Sequence, residues 1–182
     1  MLVTTKTKDL IKIFKEGGVF AYPTEAVYGL GCDPGNAEAV RQLLLIKQRD
    51  EGKGLILIAA DFSQVEKYLK PLNKAQQALT LPSEITYIYP ALESAPKYLT
   101  GNFSSLAVRI SKHPLVRELC TTLDSALVST SANLSGQPPA MNIRDVSEQL
   151  GHKISAVLQG NTGDLLTPTV IRDSISGHII RP

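Results

Sequence analysis

Apolar residues along the chain fall into two rhythms, one suited to helices and one to buried strands. Residues 36–49 carry the clearest helical stripe, with Val40, Leu43, Leu44 and Lys47 on one side. Residues 8–16 read as a shorter amphipathic helix, with Thr7 as candidate cap and Gly17 beyond its end. Residues 54–60, Gly-Leu-Ile-Leu-Ile-Ala-Ala, are almost wholly apolar, as expected of a central strand covered on both faces. Residues 19–22, 85–89, 106–110, 126–130, 154–158, 170–173 and 178–181 read as further strands, the last two joined through Ser176 and Gly177. Asp61, with Gln64 three places on, has a capping-box pattern, and Asn73 is a candidate cap for another helix. Pro114 suits the first turn of a helix running to about residue 123, and residues 142–150 form a helix with Gly151 beyond it. Helices and strands intermix without repeat, low-complexity tract or linker. The fold class is therefore α/β: a single domain over residues 1–182, with a twisted mixed β-sheet and flanking helices.

Three polar islands interrupt this pattern. The first, residues 22–31, reads Tyr-Pro-Thr-Glu-Ala-Val-Tyr-Gly-Leu-Gly and follows the first strand. Pro23 lacks a ladder donor and should end that strand, while Gly29 and Gly31 permit a tight turn or close approach to a ligand. The second contains Lys47, Arg49 and Lys53, at the end of the best helix and just before the buried strand. Cations in a last helical turn suit the helix dipole, but Lys53 lies beyond it, and three cations at a strand entrance could hold a polyphosphate. The third, residues 129–136, reads Ser-Thr-Ser-Ala-Asn-Leu-Ser-Gly, with hydroxyls beginning where a strand leaves the sheet. Ligands of open α/β sheets sit outside strand ends, and these groups can donate to phosphate or sugar oxygens. A polar turn bonded to its own backbone would account for the same residues.

Composition narrows the classes. The chain has 182 residues, and 19 Lys and Arg against 17 Asp and Glu leave +2, too little to imply nucleic-acid binding by itself. Cys32 and Cys120 have no paired spacing, the first residues lack a signal-peptide core, and no apolar stretch approaches the ~18 residues of a membrane span. A cytoplasmic protein with reduced thiols and no membrane span is expected. His113, His152 and His178 are scattered, which argues against catalytic zinc. There is no phosphate-binding P-loop, no dinucleotide fingerprint and no nucleophile elbow.

Taken in order and spacing, the three islands resemble the YrdC family, and more narrowly its short bacterial threonylcarbamoyl-AMP synthases. The resemblance runs from about residue 10 to 181 and includes Arg109 in Ser-Leu-Ala-Val-Arg-Ile and Arg181 in the final Ile-Ile-Arg-Pro. It implies a fold enclosing a concave electropositive cavity. It also implies an activity: L-threonine, bicarbonate and ATP give threonylcarbamoyl-AMP and pyrophosphate, with Mg2+ on the phosphates. The threonylcarbamoyl group then goes to tRNA, directly or through partner proteins. By resemblance Lys47, Arg49 and Lys53 hold the triphosphate, with Arg181 a further phosphate candidate. Ser129, Ser131 and Asn133 bind phosphate or nucleoside groups, and Thr24 and Arg109 bind threonine. Tyr28 is expected as a wall of the pocket. Thr86 is kept from a family segment that otherwise departs: residues 81–86 read Leu-Pro-Ser-Glu-Ile-Thr, with Ser83 and Glu84 replacing a glycine and a proline. The alternative is a non-catalytic protein that binds double-stranded RNA or tRNA during RNA maturation, using the same cations on a phosphate backbone.

Overall fold

Asn36 opens the longest helix by accepting hydrogen bonds from the Glu38 and Ala39 amides, both at 3.1 Å. That helix, α2 (Ala37–Lys47), buries Ala39, Val40, Leu43, Leu44 and Ile46, and stops where Gln48 takes the left-handed conformation (φ 48°). The computed structural model describes residues 1–165, 167 and 169–182. Its other helices are α1 (Leu10–Lys15), α3 (Ser63–Glu66), α4 (Lys74–Gln77), α5 (Lys97–Thr100), α6 (Pro114–Leu123) and α7 (Ile143–Leu150). Asn73 and Gln76 cap α4 reciprocally, and Asn142 caps α7 through the Asp145 amide. The expected first helix is shorter than its pattern. Thr7 starts a 3-10 turn instead of capping, because its hydroxyl donates to Glu118 Oε1 of α6 at 2.8 Å.

The strands are β1 (Leu2–Thr4), β2 (Phe20–Pro23), β3 (Tyr28–Gly31), β4 (Ile56–Ala59), β5 (Thr86–Pro90), β6 (Ser105–Ile110), β7 (Leu127–Ser131), β8 (Ala156–Leu158), β9 (Ile171–Asp173) and β10 (Ile179–Arg181). They form one mixed sheet in the order β1-β8-β2-β3-β7-β4-β6-β5-β9-β10. β1 and β2 run parallel to β8, β4 parallel to β6, and β5 parallel to β9. β4 is covered on both faces, as its composition required: Leu57 and Ala59 pack with Val40, Leu43 and Val128, while Ile58 packs with Leu10, Val116 and Leu119.

The first polar island is not a simple strand-end loop. β2 pairs antiparallel with β3, matching Phe20 to Gly31 and Pro23 to Tyr28. Gly29 and Gly31, expected to turn the chain, stand inside β3. Their lack of a side chain serves packing: a Cβ on Gly31 would lie 2.5 Å from the Val128 carbonyl oxygen and 2.8 Å from the Tyr22 ring.

Candidate active site

The turn of the β2–β3 hairpin is tied by Thr24, whose amide and hydroxyl both donate to the Val27 carbonyl, at 3.0 and 2.7 Å. The turn faces a cavity of about 610 Å³. Thr24, Arg49, Lys53, Arg109, Ser129, Ser131 and Arg181 all line it. Residues widely separated along the chain thus meet in one hollow. Ile56, Ile88, Leu99, Phe103 and Ile180 supply an apolar portion of the wall.

Each cation reaches the hollow by a different local device. Past α2, the left-handed Gln48 swings the chain so that Arg49 enters the cavity, braced by donation to the Gly54 carbonyl at 3.0 Å. Lys53 ends a 3-10 turn (Glu51–Lys53) capped by Asp50 and stands exposed at the rim. Arg181, on the sheet's edge strand, donates to the Thr169 carbonyl at 2.8 Å. Arg109, on β6, is buried. Its Nη2 lies 3.3 Å from Glu25 Oε2, its Nη1 donates to the Thr169 hydroxyl at 2.8 Å, and its Nε has no partner.

The charges are unbalanced. Arg109 is balanced from behind by Glu25, but among the described lining residues Arg49, Lys53 and Arg181 face Asp173 alone. Burial pushes the Arg49 guanidinium below its ordinary pKa. Burial, then the neighbouring charge of Arg109, does the same to Arg181. Cations held together under these costs favour an anionic occupant. No His or Cys is among the described lining residues, and among the described residues no three His, Cys, Asp or Glu side chains group as metal ligands. The hollow is equipped to bind and orient a polyanion next to a smaller polar molecule, with charge neutralisation as its main chemical resource.

The remaining expected residues lie outside the lining. Lys47 and Asn133 sit behind it, bonded to one another at 2.7 Å. Lys47 is buried, and burial followed by the charge of Arg49 brings its pKa down to about 8. Tyr28 is a buried support, its hydroxyl donating to the Gly160 carbonyl at 2.6 Å; burial raises its pKa. Thr86 is fully buried 3.1 Å from the Thr169 hydroxyl. Because Arg109 can only donate, Thr169 accepts from it and is free to donate to Thr86. Glu84 is exposed and is not among the described lining residues, so the departure at residues 81–84 puts no carboxylate into the cavity wall.

Sequence reasoning passed over Glu25 and Thr169. Glu25 accepts from the Ser111 hydroxyl at 2.5 Å and pairs with Arg109. Its signal was a carboxylate set among apolar residues of the first island. Thr169 had no signal, being an ordinary threonine in a loop.

The family model Sua5_yciO_yrdC, described as telomere recombination, matches residues 12–182. A threonylcarbamoyl-AMP synthase of Coxiella burnetii (strain RSA 493 / Nine Mile phase I) is 44% identical over 181 residues, covering 98% of this chain and 97% of that protein. One from Xylella fastidiosa (strain 9a5c) is 45% identical over 186 residues and covers both chains completely. Among solved structures, P. abyssi Sua5 complexed with L-threonine superposes with a TM-score of 0.86 at 26% identity, over 94% of this chain and 53% of that one. The present chain thus spans about half the length of that solved protein.

Proposed function

The chain belongs to the Sua5/YciO/YrdC family, and on that premise we propose that it is a threonylcarbamoyl-AMP synthase, joining L-threonine, bicarbonate and ATP into threonylcarbamoyl-AMP and pyrophosphate. The observation that carries the reading is the meeting of Thr24, Arg49, Lys53, Arg109, Ser129 and Arg181 in one hollow. Identity near 44% along the whole length to proteins of that name supports it further. RNA binding would ask for cations spread over an open surface, whereas Arg109 is buried and Arg49 half-buried.

In this reading the threonine amine adds to bicarbonate and water is lost, leaving a carbamate. A carbamate oxygen then attacks the α-phosphorus of ATP, and pyrophosphate leaves. No side-chain nucleophile is needed, in keeping with a lining that offers cations, hydroxyls and apolar surface. Arg49, Lys53 and Arg181 neutralise the phosphates as charge moves onto the leaving pyrophosphate. Ser129 donates to phosphate or nucleoside oxygens, while Ser131, whose one O–H is given to Asn133, lines the same wall. Arg109, which lines the cavity with its guanidinium braced by Glu25 and Thr169, takes the threonine carboxylate beside Thr24. Mg2+ would be held chiefly by the substrate phosphates and would add to their neutralisation; Asp173, whose Oδ1 already holds the turn after β9, is the carboxylate among the described lining residues that could assist. The product serves tRNA adenosine modification, directly or through partner proteins. A cytoplasmic setting accords with two buried free cysteines and with described helices too short or polar to cross a membrane.

Purified protein given ATP, threonine and bicarbonate should release pyrophosphate only when all three are present. Release indifferent to threonine would overturn the proposal.

A further inference from the structure

We propose that Lys47 is a positioning residue: its ammonium sets the shape of the loop that follows β7, and it does not touch the nucleotide. The inference rests on the reading of the site as an ATP site. An ammonium has three N–H donors and no more. Lys47 Nζ donates to the Ser131 carbonyl at 2.8 Å, the Asn133 carbonyl at 2.7 Å and Asn133 Oδ1 at 2.7 Å. Every donor is used, none remains for a phosphate, and the side chain is 8% exposed. Arg49, two residues later, lies on the far side of the left-handed Gln48 and does reach the cavity.

The three acceptors belong to the start of a loop whose later part is held separately, by backbone bonds among Tyr28, Ala132 and Ala140 and by Gln149 to Leu134 and Pro138. Asn133 Oδ1 also accepts from the Ser131 hydroxyl at 2.6 Å, which fixes the amide orientation. Its Nδ2 then donates to the Leu134 and Gln137 carbonyls, at 3.0 and 2.7 Å. One ammonium therefore pins the carbonyl end of β7, and the pinned asparagine shapes the turn through Gly136 (φ +79°). Ser129, Thr130, Ser131 and Pro139 of this stretch line the cavity. Taking a lysine charge out of water is costly unless its hydrogen bonds are complete. Here they are complete only with the loop in this one shape, so charge and loop geometry are coupled.

Amide hydrogen exchange across residues 131–140 of the full chain, with steady-state kinetics, tests the assignment. Lys47→Met should speed exchange there about ten-fold or more, the scale of losing charge-assisted hydrogen bonds, and raise KM for ATP by a similar factor. The apparent kcat at saturating ATP should change much less. A loss of folded protein alone would lower kcat and leave KM in place. Lys53→Met should leave exchange across 131–140 unchanged while impairing turnover. Lys47→Gln, whose amide keeps two of the three donors without the charge, keeps the test open where Lys47→Met fails to fold; it should give a smaller effect of the same kind. ATP affinity lost with exchange unchanged would overturn the proposal, because Lys47 would then contact the nucleotide itself. Faster exchange with KM for ATP unchanged would overturn it equally. Should the unaltered chain consume no ATP at all, the functional reading falls, and the exchange measurement still decides whether Lys47 holds the loop.

Discussion

Arg109 and Glu25 form a buried ion pair at 3.3 Å, with side chains 9% and 6% exposed. The pair joins β6 to the β2–β3 turn, and Ser111 completes it by donating to the other Glu25 oxygen. Removing one partner strands the other charge in the interior. Glu25→Gln should therefore lose roughly 3–5 kcal/mol of stability, read from urea unfolding midpoints. The double variant Glu25→Gln/Arg109→Met should recover much of that loss, since no charge is left unpaired. A double variant as unstable as the sum of the two single ones would show that the pair is not coupled.

Lys53 offers the opposite case. It is exposed at the cavity rim, and among the described residues its ammonium has no hydrogen-bond or ion-pair partner. Lys53→Ala should cost at least about a hundred-fold in kcat/KM for ATP, as losing one charge-neutralising group at a transferring phosphate does. Its melting temperature should match the unaltered protein. Full activity in Lys53→Ala would remove the phosphates from this rim.

Gly101 controls the same rim from behind. It ends α5 with φ +61° and ψ −135°, and a Cβ there would lie 2.5 Å from both the Gly52 carbonyl oxygen and the Gly54 nitrogen. Gly101→Ala should destabilise the fold by about 1–3 kcal/mol through strain and displacement of the Lys53 turn. A raised KM for ATP should accompany it. Unchanged stability would mean that the two turns can part without cost.

Lys47 gives a dependence on pH. Its folded pKa, about 8, is lowered from an ordinary value of 10.5, first by burial and then by Arg49. Below pH 8 the buried charge costs stability in full. Between about 8 and 10.5 the unfolded chain binds more protons at this residue than the folded one, so its cost is relieved as pH rises. The stability difference between Lys47→Met and the unaltered protein should therefore shift in favour of the unaltered protein across that window, by thermal unfolding at fixed ionic strength. A difference constant from pH 7 to about pH 10.5 would contradict the lowered value.

Much of this was legible in the residues. The helix from Pro114 to Leu123 and the one after Asn142 follow their capping and apolar signals to within a residue. β3 was not legible, because Tyr-Gly-Leu-Gly is a poor strand on local grounds and is recruited by β2 and β7 on either side. β1 and α5 escaped for a related reason: three and four residues are too few to carry a period, and β1 exists by pairing with β8. At the site, the hydroxyl and cation islands mark most of the groups that converge. Lys47 carried its own clue, since it falls on the same helical stripe as Val40, Leu43 and Leu44, the stripe that packs inward. A lysine on a buried stripe ends among interior acceptors. The Glu25–Arg109 pair joins distant segments, and no short-range pattern could announce it.

Tyr28 reaches across 132 positions to grip Gly160, and the chain then runs on to Thr169 and Arg181, which close the hollow from the far side. During synthesis, a growing chain halted before these late residues lacks Thr169, Ile171, Asp173, Ile180 and Arg181 from the lining. Contacts of such long sequence span form slowly relative to helices, so the closing of the hollow is a late event in folding.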